Sequence, residues 1–296
     1  MTAMTTRTTR NARTARTART VLTVAALTLQ EAARRRVLRS LAVMTIVLLA
    51  LSAWGFSRLN ANFGTLTTGE ARLATSQVLN LVMFGLSLIA ALGTAFLAGP
   101  TMAGEIESGT ALAMLARPVR RSAVLLGKWL GLVTFGSGFI AMAGLTQLVI
   151  VWATTGYWPP QPVTGLALLA AQTTVLLTLA LLLSTITSPM ASGIVAVGLF
   201  GATWIAGVVG GVGQALDNQG MARVGAVSRM LLPTDGLWRG AMRGFQDPTV
   251  LLYFPSFGDF PFLSQAPLTT TYLAWTCLWT GLVLGLAAIA FLRRDL

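Results

Sequence analysis

Apolar residues fall into six long blocks, at about residues 38–56, 76–98, 123–154, 165–187, 191–212 and 270–292. Each block has roughly the ~20 residues that a helix rising ~1.5 Å per residue needs to cross ~30 Å of hydrocarbon. The third is long enough to tilt or to extend beyond the membrane. Lys128 lies near one end of it, where its stem can follow apolar surface while the ammonium reaches water. Ahead of the first block, Leu22, Ala26, Leu29 and Ala33 recur at helical spacing, with Gln30, Glu31, Arg34 and Arg35 on other faces. That pattern predicts a helix lying along the membrane interface, or else an extension of the first spanning helix. The one long connection, 213–269, holds Trp238, Ala241, Met242 and Phe245 at i, i+3, i+4 and i+7, behind the start signals Pro233, Thr234 and Asp235. An amphipathic or re-entrant helix is expected there as a lid on the outer end of the bundle. Trp238, Met242 and Phe245 would rest on the bundle, Asp235 would pair with Arg239 on the polar side, and Arg239 and Arg243 would reach headgroups or water. Beyond it, Pro255, Phe257, Phe260, Pro261 and Phe262 read as a strap at the interface. The fold class is therefore all-α, a polytopic membrane protein with six transmembrane helices.

Composition agrees: of 296 residues 54% are hydrophobic and only 10% charged, against about 25% charged in soluble domains. The formal charge of +12 points at first to nucleic acid, but nine of the 21 basic residues precede residue 40. Residues 1–20 repeat Arg with Thr, Ala and Asn at a period of three and have little to bury, so a disordered basic arm is expected, followed by one transmembrane domain over 21–296. With both termini in the cytoplasm, fifteen basic residues lie inside and six outside (Arg58, Arg72, Arg223, Arg229, Arg239 and Arg243). This is positive-inside topology for a multi-pass protein of the cell (plasma or inner) membrane, with the lipid bilayer and not nucleic acid as its partner. Trp54, Tyr157 and Trp158 then fall at the outer interface, and Pro159 and Pro160 make a tight outer turn.

Little catalytic chemistry is available. Histidine is absent and Cys277 is the single cysteine, which removes His-dependent triads, disulfides and the usual zinc sites. The eleven methionines are scattered, so no metal site is expected. All nine acids lie outside the six blocks, which argues against a proton relay or carboxylate-based sodium site. No Gly-x-x-x-x-Gly-Lys-Ser/Thr phosphate loop occurs, Gly127-Lys128-Trp129 being the nearest fragment. Gly127 with Gly131, Gly207 with Gly211, and Gly281 with Gly285 are Gly-x-x-x-Gly pairs suited to close helix packing.

The segment 100–122 is the most informative. It runs from Glu105 and Glu107 through Ser108, Gly109 and Thr110 to an apolar stretch and then to Arg117, Arg120 and Arg121. Acids first and bases last suit a short cytoplasmic helix parallel to the membrane, the acids at its positive dipole end and the bases facing lipid phosphates. The string Glu105-Ile106-Glu107-Ser108-Gly109-Thr110, then Leu115 to Arg121 and Leu125-Leu126-Gly127-Lys128, resembles the first cytoplasmic loop of type-2 ABC transporter permeases. Within that class it is most similar to the six-helix half-permeases that include the nitrous-oxide-reductase maturation permease. Residues 27–36 and 232–239 agree, and the resemblance spans 22 to 294.

The resemblance implies a transport subunit without catalytic residues or a cofactor of its own. Two six-helix subunits, a second copy or a related permease, would form the passage, and ATP would bind on separate ATPase subunits docked beneath. Glu105, Glu107, Ser108, Gly109 and Thr110 would begin the ATPase-facing coupling helix, and Arg117, Arg120 and Arg121 would anchor the loop to the membrane. Export is the expected direction; the alternative is a carrier or channel driven by an ion gradient. The spanning segments carry no charge cluster, which suits an amphipathic, lipid-like or peptide-like cargo.

Overall fold

A computed structural model describes residues 2–62, 68–107, 121–247, 264 and 267–293. Among the described residues the regular structure is nine helices: α1 Thr2–Arg34, α2 Arg36–Asn62, α3 Thr68–Glu107, α4 Arg121–Thr155, α5 Pro162–Ile186, α6 Pro189–Ala215, α7 Gln219–Leu231, α8 Thr234–Phe245 and α9 Thr270–Arg293. Six of them, α2 to α6 and α9, are long and apolar enough to cross a membrane, and they coincide with the six blocks of the sequence. The strap at 250–263 lies outside the described residues.

Local chemistry sets the helix ends. Gly156, at φ +71, stops α4 in the left-handed region that only glycine enters freely. Pro162 starts α5 and Pro189 starts α6 in first-turn positions where no N–H is missed, and the Ser188 hydroxyl accepts the Ala191 N–H. Asp217 takes φ +53 and Asn218 caps α7, turning the chain back after α6.

The α4–α5 turn marks one end of the bundle, called here the Tyr157 end; the opposite end holds Lys128, the α5–α6 turn and the close of α9. The largest apolar cluster joins α3, α4 and α5 to α8 through Leu79, Met83, Ile140, Leu169, Trp238 and Phe245, all buried. A second, nearer the Lys128 end, joins α2, α3, α5 and α6. Polar side chains tie the helices at intervals. Gln147 Nε2 donates to Ser52 Oγ at 2.6 Å, Ser87 Oγ donates to Gln172 Oε1 at 3.2 Å, and Trp129 Nε1 donates to Thr178 Oγ1 at 2.9 Å. The faces left over on α2, α4 and α9 (Ile46, Trp54, Met142, Leu278) are apolar and exposed, as lipid contact requires.

Three expectations change. The backbone is helical from Thr2, where the composition of residues 1–20 led us to expect disorder; Ala and Arg are strong helix formers and the repeat contains neither Gly nor Pro. A break at Arg35 separates α1 from α2, so α1 is not an extension of the first span. The α1 face that packs on protein is Val24, Ala25 and Thr28, against α4, while Leu22 and Ala26 on the anticipated stripe stay open. Lys128, thirdly, does not reach water. It is 3% exposed, and its ammonium donates to the Thr101 carbonyl of α3 at 2.7 Å.

Candidate functional site

The segment after α6 is a re-entrant helical hairpin. From the Tyr157 end α7 runs back along α6 at very short range, because glycines meet: a Cβ on Gly210 would lie 2.7 Å from the Gly225 Cα, and one on Gly213 would lie 2.6 Å from the Ala222 nitrogen. The hairpin turns at Leu232–Thr234, where Thr234 Oγ1 lies 3.1 Å from Thr203 Oγ1. Thr203 sits twelve residues inside the end of α6 at Ala215, about 18 Å down the helix at ~1.5 Å per residue. From there α8 climbs back. Its C-terminal end meets the α4–α5 turn, where Tyr157 Oη donates to the Phe245 carbonyl at 2.9 Å and the Gln161 N–H donates to the Gly244 carbonyl at 3.1 Å.

Of the two expected placements α8 takes the re-entrant one, deeper than a lid on the outer end. It is a plug within the bundle rather than a cover upon it: from Thr234 to Phe245 every residue but Arg243 is buried. Trp238 stacks obliquely on Phe84 of α3, ring centroids 5.3 Å apart, and Phe84 in turn stacks on Trp204 of α6 at 4.8 Å. Phe245 fills the space left by Gly165, and Leu168 fills the space over Gly240. The Trp238 indole N–H has no acceptor among the described residues, a cost that its packing must exceed. Tyr157, expected in an interfacial belt, is buried instead. Burial pushes its phenol well above the ordinary range, the nearby Asp247 adds to the rise and Arg72 opposes it, so the hydroxyl stays a donor to Phe245.

The polar side of α8 is not exposed either. Asp235 Oδ2 accepts from Arg239 Nε and from Arg229 Nε of α7, each at 3.0 Å, and Arg239 Nη2 donates to the Gly207 carbonyl at 2.8 Å. Arg239 is 6% exposed, so it does not reach headgroups or water as its spacing implied. The predicted i, i+4 pair with Asp235 forms, but within an ion triad at the depth of Gly207 whose Asp235 and Arg239 are buried and whose Arg229 is partly exposed. Likewise an acid does stand inside the bundle, brought there by a segment whose hydropathy excludes it from the spans. Gly207 has no Cβ because the Asp235 carboxylate occupies that space, which is a different use of the glycine from the helix contact expected of its Gly-x-x-x-Gly pair.

Three aromatic donors of α9, unforeseen in the sequence, hold the end of α7. Tyr272 Oη donates to the Arg229 carbonyl at 3.1 Å, Trp275 Nε1 to Met230 at 3.2 Å and Trp279 Nε1 to Leu231 at 2.8 Å. A helix end leaves its last carbonyls without N–H partners, and these donors satisfy them in succession. The signal was present as Tyr272, Trp275 and Trp279 on one helical face.

At the Lys128 end, α3 continues unbroken through Pro100 to Glu107. Glu105 and Glu107 therefore fall in the last turns of α3, just beyond the membrane-spanning stretch Gly69–Gly104. Ser108, Gly109, Thr110, Arg117 and Arg120 lie outside the described residues, and Arg121 opens α4. Lys128 joins the two flanks of this loop. One turn away, α1 docks where a Cβ on Gly127 would meet Val24 at 2.6 Å and one on Gly131 would meet the Ala25 carbonyl at 2.6 Å.

A family model described as ABC-2 family transporter protein matches residues 25–296. The chain belongs to the ABC-2 transporter family. It is thus a multi-pass membrane protein and the transmembrane transport component of an ABC transporter, a family whose permeases work with an ATPase subunit and often as dimers. No curated protein matches the chain as a relative. In this ABC-2 permease the region from α7 to α9 is built to hold the re-entrant hairpin, and the helix ends flanking residues 108–120 are tied to one another by Lys128.

Proposed function

We propose that the chain is the membrane subunit of an ATP-driven exporter of the half-transporter type, similar to the six-helix half-permeases, paired with a second copy or a related permease. A separate ATPase subunit binds the ATP and docks at the Lys128 end, which is cytoplasmic along with both termini. Glu105, Glu107, Ser108, Gly109 and Thr110 meet the ATPase, and Arg117, Arg120 and Arg121 hold the loop to anionic headgroups of the cell membrane. α1 lies along the same interface.

The observation that supports this reading is the length of α3. Its 40 residues form about 60 Å of continuous helix, leading from the two loop acids, past the Lys128 link, to Phe84 against Trp238 of the plug. Movement of the loop acids would tilt the helix that lines the plug, so ATPase closure and release of the outer end become one motion.

Purification of the chain with its ATPase partner, followed by transport in proteoliposomes, tests the proposal. ATP-dependent transport that is lost when the ATPase is omitted is the expected result. The ion-gradient carrier gains an acid inside the bundle in Asp235, but that acid already serves two arginines. Transport that follows an ion gradient without ATP would favour the carrier.

A further inference from the structure

An apolar cleft of about 600 Å³ opens between the re-entrant hairpin and the spans. Leu179 of α5, Leu199 of α6, Val224, Val227 and Leu231 of α7, and Trp279 of α9 form its walls. Leu199, Val224, Val227 and Leu231 are all at least 43% exposed, so the cleft is open sideways to the surroundings of the bundle rather than sealed within it. Its volume lies within the range of ligand sites, whereas close-packed interiors leave few voids larger than a water molecule.

One charged side chain lines the cleft: Arg223. It is exposed and makes no ion pair or hydrogen bond among the described residues, unlike Arg229 and Arg239 of the triad. Arg223 lies on the same face of α7 as Val227 and Leu231, one and two turns further into the bundle. It stands beside the end of α6, since the neighbouring Met221 and Ala222 abut Gly213. The far wall, Leu199, is about 18 Å deeper along α6, counted from the level of Gly211. The cleft thus extends about 18 Å along α6 from near its end, comparable with the depth of one leaflet (~15 Å of hydrocarbon).

We propose that this cleft is a binding site for an anionic membrane phospholipid of the leaflet at the Tyr157 end, one acyl chain lying between α7 and α9 and the phosphate on Arg223. Length, apolar walls and an unpaired guanidinium at the headgroup level fit that one ligand; a zwitterionic lipid could fill the walls but would leave the net charge of Arg223 without a counterpart. A lipid chain here buttresses α7 from the side that the protein leaves open. The inference needs only the membrane-spanning fold, not the direction of transport or the identity of the ATPase.

The test is photolabelling of the full chain in phosphatidylcholine nanodiscs with phosphatidylglycerol carrying a diazirine at the end of one acyl chain, and with phosphatidylcholine carrying the same label. A basic residue near an anionic headgroup contributes about fivefold in affinity. Phosphatidylglycerol should therefore label peptides of α6 and α7 about fivefold more than phosphatidylcholine does. Arg223→Gln should reduce the ratio to near one, Arg223→Lys should keep it, and Ala202→Trp, which fills the cleft from its exposed wall, should remove labelling by both probes. Equal labelling of the intact protein by the two lipids, labelling unchanged by Arg223→Gln, or labelling confined to other helices would each overturn the proposal. Unaltered ATP-driven transport in Arg223→Gln with loss of selective labelling would still support the site, so its failure is distinguishable from failure of the transport reading.

Discussion

Asp235 shows how much one side chain decides here. Its carboxylate holds Arg229 of α7 and Arg239 of α8 together at the depth of Gly207, in the space a Cβ would take. Removing one member of a buried ion cluster leaves uncompensated charge and costs on the order of 3–5 kcal/mol. Asp235→Ala should therefore destabilise the protein by about that amount in a thermal or denaturant assay in detergent. Gly207→Ala should cost roughly 1–3 kcal/mol by displacing the carboxylate, without removing any charge. If Asp235→Ala were as stable as the parent, the triad would not be holding the hairpin. Trp279→Phe tests a neutral contact: the Leu231 carbonyl loses its donor, for about 1 kcal/mol, with the ring volume largely kept. The sequence made Asp235, Trp238, Met242 and Phe245 visible as one helical pattern, but not that the polar side of that helix is buried as well. Arg229 is six residues from Asp235, on a different helix, and no spacing rule links them.

Among the elements, the spans were the most legible. A block of ~20 apolar residues has few ways to satisfy its backbone in lipid, so composition alone locates α2 to α6 and α9. α7 escaped notice because its apolar positions, Val224, Val227 and Leu231, are spread among Arg223, Ser228 and Arg229 and give too short a run to read as membrane structure. What places it is tertiary: Gly210 and Gly213 against Gly225 and Ala222, and the three α9 donors. The Gly-x-x-x-Gly pairs show the same limit, since the motif says that something can come close but not what. At Gly127 and Gly131 it is α1, at Gly207 a carboxylate, and at Gly281 and Gly285 a Cβ would meet nothing within 4 Å. Gly131→Leu should lever α1 off α4, which maleimide labelling of a cysteine placed at the buried Thr28, in a Cys277-free background, would report. The matching Gly281→Leu should leave that cysteine protected.

For the whole molecule, the bundle has two differently built ends. At the Tyr157 end α8 fills the centre between α3, α5 and α6, and at the Lys128 end a buried lysine and a docked α1 brace the helices on either side of residues 108–120. The proposed orientation, argued from charge counting, puts the Lys128 end in the cytoplasm. A cysteine at the exposed Trp158, in a Cys277-free background, should accordingly react with an impermeant maleimide from outside only. On the proposed reading α3 conveys ATPase movement from Glu105 and Glu107 to the plug. The most direct test is ATP hydrolysis and transport measured together in proteoliposomes holding the ATPase with either the parent chain or the Glu105→Lys/Glu107→Lys variant. The account predicts that the variant inserts normally yet loses most transport, through weaker docking of the ATPase or through hydrolysis that no longer drives it. Transport per ATP equal to that of the parent, with the ATPase bound as tightly, would contradict it.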